Sequence, residues 1–392
     1  MRNFIVACDS FKGTLNAEEV CNIISDVIMQ YIPYADVETI PMTDGGEGMA
    51  DAYINKLGGI KKGVIVTGPM GRKVKGEYAV LDDNTVVTEA ATCVGLPLVK
   101  ETLNPMEATT YGVGEMLKII NEVHSGPVLF GVGGSATNDM GIGMAAALGY
   151  RFLDEEYNEV PPTLKSFNLI KHIVRPEKEL KMDIVVACDV NNPLCGPTGA
   201  TYTFGKQKGV PEEKMEELDR SMHKFAKVVE KEFGVSICNR PGAGAAGGLG
   251  AALYAFLGAR LESGVDIFLD RIGFDEMLKS ADMVFTGEGR IDWQTMSGKV
   301  PVGIARRAVE QGVPCIALCG SIGEKAELTY SMGISAIFSS IKTLDNTETR
   351  KEDYVENIRF LTDSVMKVLM LNEGGAGSGH GTVRSKKSQK VV

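Results

Sequence analysis

The sequence contains no GxxxxGKS or GxxxxGKT motif, no GxSxG, no CxxC pair and only four histidines. Each absence removes a class of protein. Without the first, a P-loop nucleotide site is excluded. Without the second, the nucleophile elbow of an α/β-hydrolase loses its signature. Eight cysteines are scattered at 8, 21, 93, 188, 195, 238, 315 and 319, with only the last two close together. Cysteines in apolar runs act as small hydrophobes, so the pattern predicts reduced thiols in a cytoplasmic protein and no zinc framework. The apolar run Phe4–Cys8 is too short for a signal peptide and is interrupted by Asp9. No stretch approaches the length of a membrane span. Excess positive charge is also missing. A net charge of −10 argues against a nucleic-acid partner, yet leaves room for a locally positive pocket that takes a small anion.

What is present is a soluble, globular composition, 44% hydrophobic and 23% charged over 392 residues, enough for one large or two ordinary domains. Both chain ends alternate strand-like and helix-like pieces. Phe4–Cys8 and Val37–Ile40 read as strands around a helix over 17–32, with Val20, Ile23, Ile24, Val27, Ile28 and Tyr31 at helical spacing and Asn16 as its N-cap. GGEGMADAYINKLGG reads as a helix ended by glycines. Toward the C-terminus, Met283–Phe285, Pro314–Leu318 and Ile334–Phe338 read as strands, separated and closed by helices over 298–311 and 351–371. This alternation predicts a parallel sheet with helices on both faces. Short runs over 63–68, 75–81 and 85–90 predict an antiparallel hairpin region, and 212–233 an amphipathic helix. The expected organisation is one α/β domain from residues 1–60 plus 272–372, an inserted mixed α/β domain over 61–271, and a disordered glycine-, serine- and lysine-rich tail over 373–392.

The chemistry is expected where acids and glycines end the strands. Residues 130–141, FGVGGSATNDMG, follow an apolar run and precede a helical pattern. Such a turn offers successive backbone N–H groups, with the positive end of the next helix behind them. It has no lysine of its own, and Lys12 and Arg290 are candidates for the missing charge. A second run, PGAGAAGGLGAAL, nominally matches GxGxxG at Gly242, Gly244 and Gly247, but Arg-Pro precedes it instead of a clean strand. Four strand candidates end in acids: Asp9 with Ser10, Asp44 with Glu47, Asp189, and Glu288 with Asp292. Ligands of open parallel sheets bind beyond those ends. Magnesium takes carboxylates and phosphate oxygens, a carboxylate accepts a hydroxyl proton, and Lys or Arg neutralises a transferred phosphoryl group. The residues alone also admit a non-catalytic sensor of an organic acid or nucleotide, and an NAD-dependent dehydrogenase.

DSFKGTLNAEE, PMTDGGEG, GVGGSATNDMGIGMAAALGYRF, ACDVNNPLCGPTGA, PGAGAAGGLGAAL and TGEGRIDWQTMSGKVP resemble, in order, the signature blocks of the class I glycerate kinase family, across residues 2–371. The resemblance implies ATP- and Mg2+-dependent phosphorylation of D-glycerate, typically to 2-phosphoglycerate. A kinase of a different small hydroxy acid is the nearest alternative. It implies small-molecule partners only, with no nucleic acid and no membrane, and gives no oligomeric state. It implies a flavodoxin-like domain joined to one related in topology to restriction endonucleases, with the active site between them. On chemical grounds Lys12 and Arg290 are then candidates for the glycerate carboxylate or a phosphate, and Asp189 and Asp292 for magnesium or the base. Asp44, Glu47 and Glu288 are second choices for those roles, beside Asp9 and Ser10. Gly133, Gly134, Ser135 and Asn138 would cradle the phosphate or substrate. Trp293 departs from the small or polar residue expected after GEGRID.

Overall fold

The structure, a computed structural model, describes residues 2–11, 13–43, 45–46, 48–99, 103–342 and 350–371. In chain order the strands are β1 (Asn3–Cys8), β2 (Asp36–Pro41), β3 (Ile60–Thr67), β4 (Lys73–Val80), β5 (Val86–Glu89), β6 (Val128–Gly131) and β7 (Arg151–Leu153). They continue as β8 (His172–Val174), β9 (Ile184–Ala187), β10 (Arg260–Glu262), β11 (Met283–Ile291), β12 (Cys315–Ile322) and β13 (Ile334–Ser339). The first sheet has the order β13-β12-β11-β1-β2, with every pairing parallel. Counted within the sheet, that order is 2-1-3-4-5, the flavodoxin-like arrangement. The second sheet, β10-β9-β6-β5-β4-β3, is mixed: β5, β6, β9 and β10 run parallel, and β3 and β4 add antiparallel at one edge. β7 and β8 form a separate pair.

Alternation along the strands builds three apolar layers, because successive side chains point to opposite faces. In β1, Phe4, Val6 and Cys8 join one core with helix Ala17–Tyr31 and helix Lys351–Met370. Ile5 and Ala7 face the other way. They share a second core with helices Met49–Leu57, Gly264–Arg271 and Val300–Glu310. Val87, Leu129 and Val185 of the second sheet close that same core from its other side. The layer is therefore common to both sheets. Val86, Val128, Phe130 and Val186 turn outward to a third core under helices Tyr111–Val123, Met215–Phe233 and Ala245–Leu257.

Local signals act as their chemistry requires. Asn16 caps its helix through a reciprocal pair: the Glu19 N–H donates to Asn16 Oδ1 at 2.8 Å, and the Asn16 N–H to Glu19 Oε2 at 3.0 Å. Such a cap contributes about 1 kcal/mol. The antiparallel region predicted around residues 63–90 is β3-β4-β5. One strand differs from expectation. β11 does not stop at Phe285 but runs to Ile291, because β12 continues to pair with it as far as Ile322. TGEGRI is thus strand, and Glu288 to Ile291 project beyond the end of β1, whose last partner is Gly287. Among the described residues no helix is long and apolar enough to cross a membrane. The tail expected over 373–392 lies outside the described residues.

Candidate active site

The strand order of the first sheet reverses between β1 and β11, so a crevice opens beyond their carboxyl ends. Asp9 stands at that point. Its N–H donates to the Gly287 carbonyl at 2.9 Å, and its Oδ1 accepts the Ser10 N–H at 2.6 Å. Glu288 lies alongside, 5% exposed. Its Oε1 accepts the Thr295 hydroxyl at 2.6 Å, and the Lys299 ammonium is 3.5 Å from Oε2. Burial pushes the Glu288 carboxyl above its ordinary value, against the pull of Lys299 and Thr295. Farther along β11, Arg290 and Asp292 engage each other, Nε to Oδ2 at 3.1 Å. Asp292 also caps the short helix Trp293–Ser297: its Oδ1 accepts the Gln294 N–H at 2.9 Å. Trp293 is 53% exposed, so its indole fills no core.

The second sheet presents its own strand ends to the loop that follows β2. Past β6, the Gly133 N–H donates to the Gly45 carbonyl at 3.1 Å. The approach is too close for any side chain: a Cβ on Gly133 would lie 2.5 Å from Gly46 Cα, and one on Gly45 would lie 2.7 Å from the Ala187 carbonyl oxygen. The loop after β2 therefore lies across the ends of β6 and β9. At the end of β5, Glu89 accepts the N–H groups of Gly48 and Met49 at 3.2 and 3.1 Å, and so caps helix Met49–Leu57. Past β9, Asp189 Oδ1 accepts the Ser263 hydroxyl at 3.1 Å and the Val265 N–H at 3.3 Å. A Cβ on Gly264 would lie 3.0 Å from Asp189 Oδ2 and 3.4 Å from the Gly45 nitrogen, so the aspartate and the glycine loop share one spot. The Met42 N–H, bonded to the Cys8 carbonyl at 2.9 Å, extends the β1–β2 pairing into the loop that carries Gly45.

The glycine turn itself departs from expectation in two ways. The helix that follows it, Ile142–Ala147, does not offer its positive end to a ligand. Asp139 already occupies that end, its carboxylate accepting the N–H groups of Gly141 and Gly143 at 3.1 and 3.3 Å. The same carboxylate accepts the N–H and hydroxyl of Thr110 at 2.8 and 2.9 Å. Asn138, expected to cradle a ligand, is fully buried and donates its amide to the Thr201 hydroxyl at 3.1 Å. Only the tip, Gly133 and Gly134, reaches solvent. Gly134 adopts a left-handed φ of +72°. The alanine-glycine run is no dinucleotide fingerprint. A turn, not a strand, precedes its helix, and the backbone is left-handed at Ala246, Gly247 and Gly248. Gly247 packs beneath the turn, accepting the Met140 N–H at 3.0 Å.

A family model for the glycerate kinase family matches residues 4–370. The chain belongs to the glycerate kinase family. A glycerate kinase of Halalkalibacterium halodurans is 42% identical over 370 residues, 91% of this chain and 96% of that protein. A glycerate 2-kinase of Escherichia coli (strain K12) is 37% identical over 378 residues, 95% of this chain and 99% of that protein. A crystal structure described as glycerate kinase 2 of Salmonella typhimurium LT2 is 36% identical, with a TM-score of 0.77, covering 96% of this chain and 100% of that one. Membership makes the protein a kinase, a phosphotransferase.

Of the residues singled out from sequence, the fold gathers Asp9, Ser10 and Glu288 at one mouth and Gly133, Gly134, Ser135 and Asp189 at the other. Lys12, Asp44 and Glu47 lie outside the described residues. Arg290 and Asp292 stay paired at the far end of β11. Sequence reading passed over Glu89, which caps helix Met49–Leu57, over Ser263, Thr295 and Lys299, which orient Asp189 and Glu288, and over Lys208, which lies under the glycine turn. Among the described residues no three His, Cys, Asp or Glu side chains gather as a metal group. Magnesium in phosphoryl-transfer sites needs only one or two carboxylates beside phosphate oxygens and water. Asp189 fits that sparse requirement. Asp292 already holds the Arg290 guanidinium and the Gln294 amide, one on each oxygen.

Proposed function

We propose that the protein transfers the γ-phosphoryl group of MgATP to the C2 hydroxyl of D-glycerate, giving 2-phosphoglycerate and ADP, in the cleft between the two sheets. The observation that carries this reading is the convergence of both sheets' strand ends through the Gly133–Gly45 contact. It brings the glycine turn of one sheet against the loop that follows β2 of the other. In this reading residues 1–60 plus 272–372 and residues 61–271 act as two units with the reaction between them. The position of transfer draws support from the Escherichia coli relative, which is named a 2-kinase.

Phosphoryl transfer asks for positioning and for charge at the transferred group more than for covalent chemistry. The amides at the tip of the glycine turn donate to phosphate oxygens. Asp189, fixed by Ser263 and Val265, is the carboxylate that would hold magnesium, which supplies charge neutralisation across the phosphates when bound. Asp9 and Glu288 stand at the opposite mouth, where a small hydroxy acid would meet them. Because its burial raises its pKa, Glu288 is the better placed of the two to take up the hydroxyl proton.

The test is an ADP-release assay with MgATP and D-glycerate, the product resolved as 2- or 3-phosphoglycerate. Magnesium-dependent formation of the 2-isomer supports the reading, and absence of turnover from folded protein overturns it. Asp189→Asn keeps the shape but removes a charge, so turnover should fall by about 100-fold or more while the fold is kept. Near-normal turnover would remove Asp189 from the chemistry.

A further inference from the structure

Lys208 lies in the run FGKQKGV, in the short helical turn Lys206–Lys208. Nothing in that run distinguishes it from a solvated lysine. In the fold it is 2% exposed. Its Nζ donates to Ser135 Oγ at 2.9 Å and to the Thr137 carbonyl at 2.5 Å. Lysine is almost never fully buried without a carboxylate partner. Among the described residues no salt bridge includes Lys208, and both hydrogen-bond acceptors belong to the glycine turn. An apolar side chain of equal length would fill the space without desolvating an amine. What the amine adds is a tie to the turn, and a charge beneath it.

The backbone above shows what that tie secures. The turn is anchored on both flanks: Leu96 N–H donates to the Gly134 carbonyl at 2.9 Å, and Ala136 N–H to the Val94 carbonyl at 2.8 Å. Among the described residues, the amides of Gly134 and Ser135 donate to no acceptor. Two successive free N–H groups, next to the left-handed Gly134, form a concavity suited to an anion. Since Asp139 fills the end of the following helix, that helix brings the concavity no positive charge.

We propose that Lys208 is the positioning residue of the glycine turn, holding Ser135 and Thr137 from beneath so that the Gly134 and Ser135 amides meet an anionic oxygen group in the cleft. This rests on the phosphoryl-transfer reading. The anion is a phosphate of the nucleotide or the carboxylate of the hydroxy acid. The amine also senses what binds above it. Burial brings its pKa down to about 7, opposed by the charge of Asp139, the titratable group whose field reaches it. A bound anion favours the protonated amine, so anion affinity is highest below pH 7 and falls as the pH rises past that value. Hydrogen bonding to Ser135 and Thr137 survives deprotonation, since a neutral amine still has two hydrogens. The pH therefore removes the charge and leaves the tie.

The experiment compares wild type, Lys208→Met and Lys208→Arg. Steady-state kinetics give KM for ATP and for D-glycerate, circular dichroism checks folding, and calorimetry measures inorganic pyrophosphate binding at pH 6 and 8.5. Lys208→Met should raise one KM by about tenfold or more, ATP if the turn holds phosphate, D-glycerate if it holds the carboxylate. Lys208→Arg, charged at both pH values, should recover most of that loss. Ionisation of pyrophosphate is common to all three proteins, so it cancels in their ratios. The wild type should therefore lose affinity relative to Lys208→Arg by about tenfold between pH 6 and 8.5. Unchanged KM values in folded Lys208→Met would overturn the positioning role, and a ratio that does not move with pH would overturn the part assigned to the charge. If Lys208→Met does not fold, the arginine comparison decides alone. Pyrophosphate binding needs no turnover, so failure of the assigned reaction and failure of the lysine's role remain separate results.

Discussion

Asp139 ties the end of the glycine turn to Thr110 and to the helix that follows, and the cost of removing it can be worked from its contacts. Oδ2 accepts three donors: the Thr110 N–H, the Thr110 hydroxyl and the Gly143 N–H, at 2.8, 2.9 and 3.3 Å. Oδ1 accepts one, the Gly141 N–H at 3.1 Å. All are buried. Asp139→Ala abandons every one of them. Each buried unsatisfied donor costs about 1–3 kcal/mol, and the Thr110 hydroxyl, which also accepts the Met144 N–H, can reorient. With partial relaxation the loss should be about 4 kcal/mol. Asp139→Asn can place its carbonyl where Oδ2 was and keep three donors, but sets its own NH2 against the Gly141 N–H. That variant should lose only about 1–3 kcal/mol. Chemical denaturation at pH 7, with equal m-values required, measures both. A loss below 1 kcal/mol for the alanine variant, or an asparagine variant as damaged as the alanine one, would refute the accounting.

Two further predictions concern neighbouring features. Gly133→Ala drives a methyl to within 2.5 Å of Gly46 Cα, a backbone atom that cannot step aside, so the two mouths should separate. Turnover should drop by at least about tenfold with a stability loss of about 1–3 kcal/mol, and a fully active variant would contradict the contact. In the helix Met215–Phe233, burial works to raise the Glu230 pKa, but Lys227 and the amides of Cys238 and Ile237 overcome it and hold it down to about 2. A depressed carboxyl stabilises the fold above its unfolded value of about 4.3 and loses that contribution as pH falls toward 2. Denaturation of wild type against Glu230→Gln should show a difference of about 2 kcal/mol at pH 7, discounted for solvent screening, that narrows as the pH falls below about 4 and is mostly lost only near pH 2, and a constant difference would refute it.

The fold was legible wherever periodicity and caps carried the information. The βα alternation at both chain ends became the 2-1-3-4-5 sheet, and Asn16 caps the helix it was expected to cap. β11 was read too short for a physical reason. Its second half, TGEGRI, carries two glycines and two charges, which speak locally for a turn. Tertiary pairing with β12 overrides that preference. The alanine-glycine run was legible as a poor match to a cofactor loop. Its missing strand was visible in the Arg-Pro that precedes it.

The site was legible in its acids and opaque in its cation. A carboxylate beyond a strand end announces itself, because the strand pattern fixes where the chain emerges and the glycines mark where backbone must approach backbone. Asp9, Asp189 and Glu288 were placed at strand ends that way, and they stand there in the fold. A lysine carries no such positional signal. The usual expectation for Lys is a solvated head on an apolar stem, and neither Lys206 nor Lys208 breaks it in sequence. What separates them is the sheet and its helices, which leave Lys206 exposed and seal Lys208 under Ser135 and Thr137. The sequence did show the deficit: a glycine turn expected to hold an anion, without its own lysine. The search for compensation then went to Lys12 and Arg290, residues at strand ends, on the assumption that charge faces a ligand from across the cleft. Arg290 is engaged with Asp292 instead. A charge can equally lie beneath such a turn, and that geometry becomes visible only when residues more than 70 positions apart are brought into one hydrogen-bonded group.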